Sequence, residues 1–276
     1  MIVVIVLIFT KVFLTKISYQ NWEIGMTKIL LHKKNNFLGL LENIESRFPL
    51  SYDEDTNKLF VQFTRYLEHL SDYDETLAKR LNTIWAYRGF SIEKHFSKQQ
   101  NIQSFDFYPK YKNLMKRDSL LLRKVMKGRK YEKVIFVGSG PLPLSLKLLR
   151  INVQKVGYDI MKEALELSAK SVSKDRFGRK IIYKKANFFE MELEERKPVI
   201  IYIAGLIQGK KEGIARVAQQ LPKGSLIVVR TVADDKRALL YERLQKNDFL
   251  KFGKVKEFNP TRSSGIVNGM IVVEVK

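Results

Sequence analysis

The sequence predicts an α/β protein, a mostly parallel sheet preceded by a helical domain. Three observations carry this. A β-prone run, Lys133-Val-Ile-Phe-Val137, ends in Gly138-Ser139-Gly140 and leads through Pro141 and Pro143 into an apolar segment, the strand–glycine–helix order of a doubly wound sheet at a nucleotide-like ligand. From Tyr131 onward strand-like and helix-like segments alternate, which implies parallel pairing. Upstream, apolar residues recur only at helical spacing.

In order along the chain, Phe37, Leu38, Leu40, Leu41, Ile44 and Phe48 form a first helical stripe closed by Pro49. Leu59, Phe60, Phe63, Tyr66, Leu67 and Leu70 form a second. Leu77, Leu81, Ile84, Trp85 and Arg88 form a third, expected to break near Gly89. An aromatic-dense turn, Phe105-Asp-Phe-Tyr-Pro-Lys-Tyr111, precedes a helix lined by Leu114, Met115, Leu121, Leu122, Val125 and Met126, with a basic opposite face and Gly128 as its stop. Strands are expected at 134–137, 153–158, 180–184, 199–203 and 225–230, with helices at 144–152, 162–177, 212–220 and 237–247. Segments 252–258 and 266–275 suit a closing antiparallel pair. The expected division is an extension over residues 1–25, a helical domain over 26–105 and a sheet domain over 106–276.

Residues 2–9 are apolar but too few to span a bilayer, which needs about 20, and neither a basic stretch before them nor a small-residue cleavage site after them marks a signal peptide. Met26 opens a segment resembling a natural start, so residues 1–25 are expected to be an over-extended start or a loosely ordered addition. The chain has no cysteine, which removes disulfides, thiolate nucleophiles and Cys-ligated metal, and suits a cytoplasmic location. Its three histidines, His32, His69 and His95, lack metal-ligand spacing. Lys and Arg number 50 against 29 Asp and Glu, a net charge of +21. Such charge attracts nucleic acid or anionic metabolites and equally suits a solvated basic surface.

Ligands of such a sheet bind at the carboxyl ends of the strands. Gly138, Ser139, Gly140 and Pro141 would form the loop there. Asp159, 21 residues after Gly138, can accept ribose hydroxyls or cap the next helix. Pro-Leu-Pro stands where a dinucleotide fingerprint has its third glycine, and no open helix N-terminus awaits a pyrophosphate. The closing antiparallel pair points the same way, to S-adenosylmethionine and a methyltransferase-like, Rossmann-like sheet. The segment after strand four, from Ala204, lacks the Asn/Asp-Pro-Pro-aromatic string of amino-group base methylases. No cysteine serves a carbon-5 cytosine methylase. Both absences argue against a nucleic-acid substrate.

The strings Phe105–Tyr111, Phe136-Val-Gly-Ser-Gly-Pro-Leu-Pro-Leu144, Tyr158-Asp159, Ala204-Gly-Leu206 with Lys210, Arg230-Thr231, Arg237-Ala-Leu-Leu-Tyr241 and Ile266-Val-Asn268 together resemble nicotianamine synthases. The resemblance implies a transferase of alkyl groups other than methyl: 3-amino-3-carboxypropyl groups pass from S-adenosylmethionine, as substrate, to an amine, and methylthioadenosine leaves. The product would be a metallophore that binds transition metals, with no catalytic metal and no membrane partner. The family's catalytic tyrosine matches Tyr111, and Tyr108 would wall the pocket. Its glutamate matches Glu93, although the short spacing to the aromatic turn leaves Ser91 in contention. Asn187 stands where adenine would be met. Arg230 and Arg237 are candidates for substrate carboxylates, since guanidinium binds them bidentately. Two alternatives remain at this level: transfer onto an external amino acid to give an opine-type precursor, and an RNA-directed S-adenosylmethionine-dependent transferase motivated by the charge.

Overall fold

The computed structural model describes residues 36–68, 73–99, 102–232, 241–260 and 268–276. The expected extension over residues 1–25, Leu70 of the second stripe and Arg237 lie outside the described residues. Two helices, α1 (36–45) and α2 (Glu54–Glu68), pack with the longer α3 (Glu75–Ser97). Phe37, Leu41, Ile44, Phe60, Phe63, Leu81 and Ile84 meet in their shared core. Arg88 is buried on this face. Its guanidinium stacks 4.7 Å from the Phe60 ring and 5.2 Å from Tyr52, and donates to Asn57 Oδ1. The predicted break at Gly89 does not occur. The helix runs through, and the glycine there makes room for Leu206: a Cβ on Gly89 would stand 2.7 Å from Leu206 Cδ1.

After a 3-10 turn at Ile102–Ser104 comes α4 (Tyr108–Met126), with Pro109 in its first turn, where a missing N–H costs nothing. The chain then builds β1 (Lys133–Val137), α5 (Leu144–Leu148), β2 (Gln154–Asp159), α6 (Lys162–Ser171), β3 (Ile182–Lys185), β4 (Ile200–Ile203), α7 (Lys210–Gln220), β5 (Leu226–Val232), a 3-10 segment Lys246–Phe252, β6 (Gly253–Phe258) and β7 (Asn268–Val275). The seven strands order as β3-β2-β1-β4-β5-β7-β6. β1 to β5 are parallel and β7 is antiparallel to both neighbours, so the expected closing pair is present. The order reverses between β1 and β4, which opens a crevice at their carboxyl ends. Apolar layers lie on both faces of the sheet, which is why β4 and β5 are buried along their whole length.

Three predicted helices are shorter or absent. α5 stops at Leu148 rather than 152, because the chain turns extended at Leu149, where Lys155 Nζ donates to its carbonyl at 3.0 Å and Arg150 N–H donates to Ser119 Oγ at 2.9 Å. α6 stops at Ser171 rather than 177. Asp175 there accepts the N–H groups of Phe177 and Arg179 at 2.8 and 3.0 Å and pairs with buried Lys155 at 2.8 Å, organising a turn instead. Of the helix expected at 237–247, residues 241–245 are not helical. The 3-10 segment that follows is held by a reciprocal capping box between Gln245 and Asp248. α3 also meets α6, where Lys94 and Glu163 form an ion pair at 2.7 Å.

Candidate active site

The loop after β1 turns through two left-handed glycines, Gly138 (φ 73°) and Gly140 (φ 65°). Neither has room for a side chain. A Cβ on Gly138 would meet Ile207 Cδ1 at 2.8 Å and Ala204 Cβ at 3.2 Å, and one on Gly140 would collide with Glu93 Oε2. Asp159, at the end of β2, accepts the Gly140 N–H at 2.9 Å through Oδ2 and the Met161 N–H at 3.0 Å through Oδ1. These bonds put Asp159 at the approach to the next helix, as one of its two expected readings has it. One oxygen braces the glycine loop, the other supports the start of the next helix, and each retains acceptor capacity. Burial raises the Asp159 pKa against those bonds. The neighbouring Ser139 hydroxyl is buried without a partner. A cradle without room for Cβ atoms, an orphaned hydroxyl and a carboxylate beside them fit the ribose and amino-acid ends of S-adenosylmethionine.

Facing this loop is a carboxyl–phenol pair from two helices. Tyr111 lies in the first turn of α4, and its hydroxyl donates to Glu93 Oε1 of α3 at 3.2 Å. Glu93 also accepts a backbone hydrogen bond from Leu142. It retains some exposed surface, yet the protein around it is dense. That burial is the largest influence on its carboxyl and, opposed by the two hydrogen bonds, pushes its pKa up to about 8. Burial, reinforced by the Glu93 charge, drives the Tyr111 hydroxyl well above its usual value. Ser91 is elsewhere: it is buried and donates to the Arg88 carbonyl at 2.9 Å. The structure thus brings Glu93, not Ser91, to Tyr111. Tyr108 joins Tyr111 against the cluster of Phe96, Phe105, Leu142 and Leu144.

Arg230, on β5, is buried beneath the pair. Its Nη2 donates to Ser145 Oγ at 3.1 Å and contacts Met115 Sδ at 2.9 Å, its Nε donates to Tyr202 Oη at 3.2 Å, and its guanidinium stacks 5.1 Å from the Tyr202 ring. Asp118, wholly buried on α4, lies 3.8 Å from Arg230 Nη2 and accepts from Tyr202 Oη and, at 2.7 Å, from Arg117. The Arg230 charge favours the ionised forms of both Glu93 and Tyr111. Arg230 is therefore held by internal partners and does not pair with solvent. Asn187 caps its own turn, with Oδ1 accepting the Phe189 N–H at 3.1 Å. Ala204 follows β4, its N–H bonded to the Val137 carbonyl at 3.1 Å.

Two residues near this centre have no role assigned from sequence, although Tyr241 closes one of the strings that resemble the family. Asp118 sits in a helix face otherwise noted for its basic residues, and only its position seven residues after Tyr111, two turns along the same face, marks it. Tyr241 accepts the Trp85 Nε1–H at 3.3 Å and is electrostatically linked to Glu93 and Arg230.

The strand order, the glycine loop and the acid at the end of β2 define an S-adenosylmethionine-dependent transferase of methyltransferase-like architecture. The family profile described as nicotianamine synthase protein matches residues 34–276. The chain belongs to the nicotianamine synthase family. Nicotianamine synthase 3 of Arabidopsis thaliana is 25% identical over 260 residues, covering 84% of this chain and 80% of the relative. Nicotianamine synthase of Solanum lycopersicum is 25% identical over 257 residues, with 84% and 80% covered. Among solved structures, MtNAS in complex with MTA and tNA is similar in fold, with a TM-score of 0.63 at 17% identity, covering 88% of this chain and 97% of that one. A mutant of MtNAS in complex with S-adenosylmethionine has a TM-score of 0.60. Among the described residues no helix is long and apolar enough to cross a membrane, and no group of three or more His, Asp or Glu side chains stands close enough to hold a metal ion.

Proposed function

We propose that the protein transfers 3-amino-3-carboxypropyl groups from S-adenosylmethionine to an amine acceptor, releasing methylthioadenosine, and repeats the step to build nicotianamine, a chelator of transition metals. The observation that carries this is the Glu93–Tyr111 pair, bonded at 3.2 Å and pressed against the glycine loop. Complexes of MtNAS with S-adenosylmethionine and with MTA and tNA support it.

S-adenosylmethionine supplies its own leaving group, a sulfonium, so the chain's task is positioning and proton removal. Asp159, Ser139 and the Gly138–Gly140 backbone hold the donor, with Pro141 stiffening the loop and Asn187 beside the adenine. Tyr111, kept protonated by its surroundings, orients the acceptor amine. Glu93 takes the ammonium proton, and a carboxylate that ionises near pH 8 is matched to that work. The new N–Cγ bond forms as the Cγ–S bond breaks. The electron pair leaves on sulfur as neutral methylthioadenosine, and the proton passes from Glu93 to solvent. Arg230 and Arg237 take substrate carboxylates, and Tyr108 walls the pocket. We place the helical domain, to about residue 105, as a cap over the sheet domain, and the enzyme in the cytoplasm. The Lys94–Glu163 tie supports the cap.

Incubation of the purified protein with S-adenosylmethionine alone, followed by mass spectrometry, tests the reading. Methylthioadenosine together with a product carrying three aminocarboxypropyl units is expected. Product formed only after an external amino acid is added would replace it with the opine-type alternative, and no methylthioadenosine under either condition would overturn it.

A further inference from the structure

Tyr241 stands where no role has been assigned. It follows β5 and the segment 233–240 and lies against the end of β4, where a Cβ on Gly205 would be 3.6 Å from Tyr241 Cδ1 and 3.7 Å from Asn268 Nδ2. Its hydroxyl accepts the Trp85 Nε1–H of α3 at 3.3 Å. Indole can only donate, so this bond uses an oxygen lone pair and leaves the phenolic hydrogen to be given to something else. The charges of Glu93 and Arg230 both act on the ring, and Tyr241 in turn acts on Tyr111. Tyr241 is thus hydrogen-bonded to α3 through Trp85 and electrostatically linked to Glu93, Tyr111 and Arg230.

The residue after Tyr241 is anchored. Glu242 Oε2 accepts the backbone N–H of Lys210, the first residue of α7, at 2.9 Å, and lies 3.8 Å from Lys210 Nζ. That amine is wholly buried and makes no hydrogen bond. Burial lowers its pKa to about 8 while the Glu242 charge opposes the fall. A buried amine with a single facing carboxylate is a costly arrangement unless it fixes something, because removing either partner strands the other. What it fixes here is the backbone beside Tyr241.

We propose that Tyr241 is a substrate-contacting residue on the acceptor side of the cavity, giving its phenolic hydrogen to the acceptor's carboxylate beside Arg230, and that Lys210 and Glu242 are positioning residues for it. This rests on the aminocarboxypropyl-transfer reading and deepens it. Tyr241 lies against Gly205, one residue beyond Ala204, which abuts Gly138, so binding of S-adenosylhomocysteine is the measurement that separates an acceptor role from a donor one. A neutral phenol beside a guanidinium is a suitable partner for a carboxylate, since it adds a hydrogen bond without adding a charge that the reaction would have to move.

The test uses the full-length protein and follows methylthioadenosine release as a function of S-adenosylmethionine, with calorimetric binding of S-adenosylhomocysteine as a probe of the donor side. Tyr241→Phe keeps the ring and loses only the hydroxyl. It should lower kcat/KM about tenfold, the loss of one hydrogen bond to a charged group, while S-adenosylhomocysteine affinity stays within twofold and the melting temperature falls only slightly, through the acceptor lost to Trp85. Glu242→Gln, which keeps an acceptor for the Lys210 N–H, should give a smaller loss of the same kind, and it should add no further loss in the Tyr241→Phe background. Unchanged kcat/KM in Tyr241→Phe, or an equal loss of S-adenosylhomocysteine affinity, would overturn the proposal. Failure of the wild-type protein to release methylthioadenosine would instead overturn the function on which it rests.

Discussion

On the glycine-loop side of the cavity the contacts are made largely by main chain, whereas on the Glu93 side they are made by side chains that meet across helices. Gly138 and Gly140 take conformations open to few other residues, and the Gly140 N–H is itself the donor to Asp159. Opposite, Glu93 and Tyr111 come from α3 and α4, and their properties follow from being crowded together. A site assembled from backbone depends on few side chains, here chiefly the Asp159 brace. A site assembled from coupled side chains has its chemistry tuned by burial and fails at the first deletion. The first half is suited to binding, the second to moving a proton.

Substitutions on the two sides should therefore separate rate from affinity. Glu93→Gln removes the proton acceptor, and methylthioadenosine release should fall roughly 10²–10⁴-fold with little change in S-adenosylhomocysteine binding. Equal losses in both would erase the division. In the wild type the rate should climb with pH and level off above about 8, because Glu93 must be ionised to accept the proton; a plateau already reached at pH 6 would remove Glu93 as the base. Asp159→Ala should weaken S-adenosylhomocysteine binding by about 10- to 100-fold through loss of the loop brace and a ligand acceptor, while turnover at saturation changes far less. Normal affinity would refute its part in binding. Tyr111→Phe should slow turnover about tenfold, since orientation is lost but the base remains, and a rate equal to wild type would reassign that tyrosine to packing.

The smallest expected effect concerns stability. The folded-state pKa of Glu93 lies above its ordinary value of 4.5, so the folded protein binds more protons than the unfolded chain between these values. Stability should accordingly fall as pH rises from about 4.5 towards 8. Glu93→Gln has no such proton to lose and should be more stable than wild type at pH 9, by roughly 1–3 kcal/mol, yet nearly equal to it at pH 5. Chemical denaturation at the two pH values decides this, and an unchanged difference between them would show that burial does not perturb the carboxyl.

The same contrast explains what the sequence disclosed. Main-chain sites leave marks in local composition, so Gly138, Gly140 and Asp159 were legible from a strand, two glycines and a carboxylate at the right interval. Sites built across helices leave no local mark. Nothing in residues 91–111 says which of Ser91 and Glu93 faces α4, and resemblance supplied Glu93 where periodicity did not. Asp118 was hidden because a buried acid on a basic helix has no local signature, and Tyr241 because its partners Trp85 and Arg230 are far away in sequence. Helix ends were overrun at residues 149–152 and 172–177, where Ser119, Lys155 and Asp175 intercept the backbone through contacts that only the folded chain creates.

Gly89 shows how tightly the two sides are registered. A glycine inside a helix costs roughly 1 kcal/mol relative to alanine, yet here its missing side chain forms a mortise that receives the Leu206 tenon from the loop after β4. Glu93 is one helical turn further along α3. A methyl at residue 89 would push on the Leu206 terminal methyl, which can yield by turning, whereas a larger side chain there would displace the end of α3 and the base with it unless residue 206 were shortened as well. Variation at these two positions is thus expected to travel in pairs, and the depth of the carboxyl in the cavity is set by a residue that has no functional group at all.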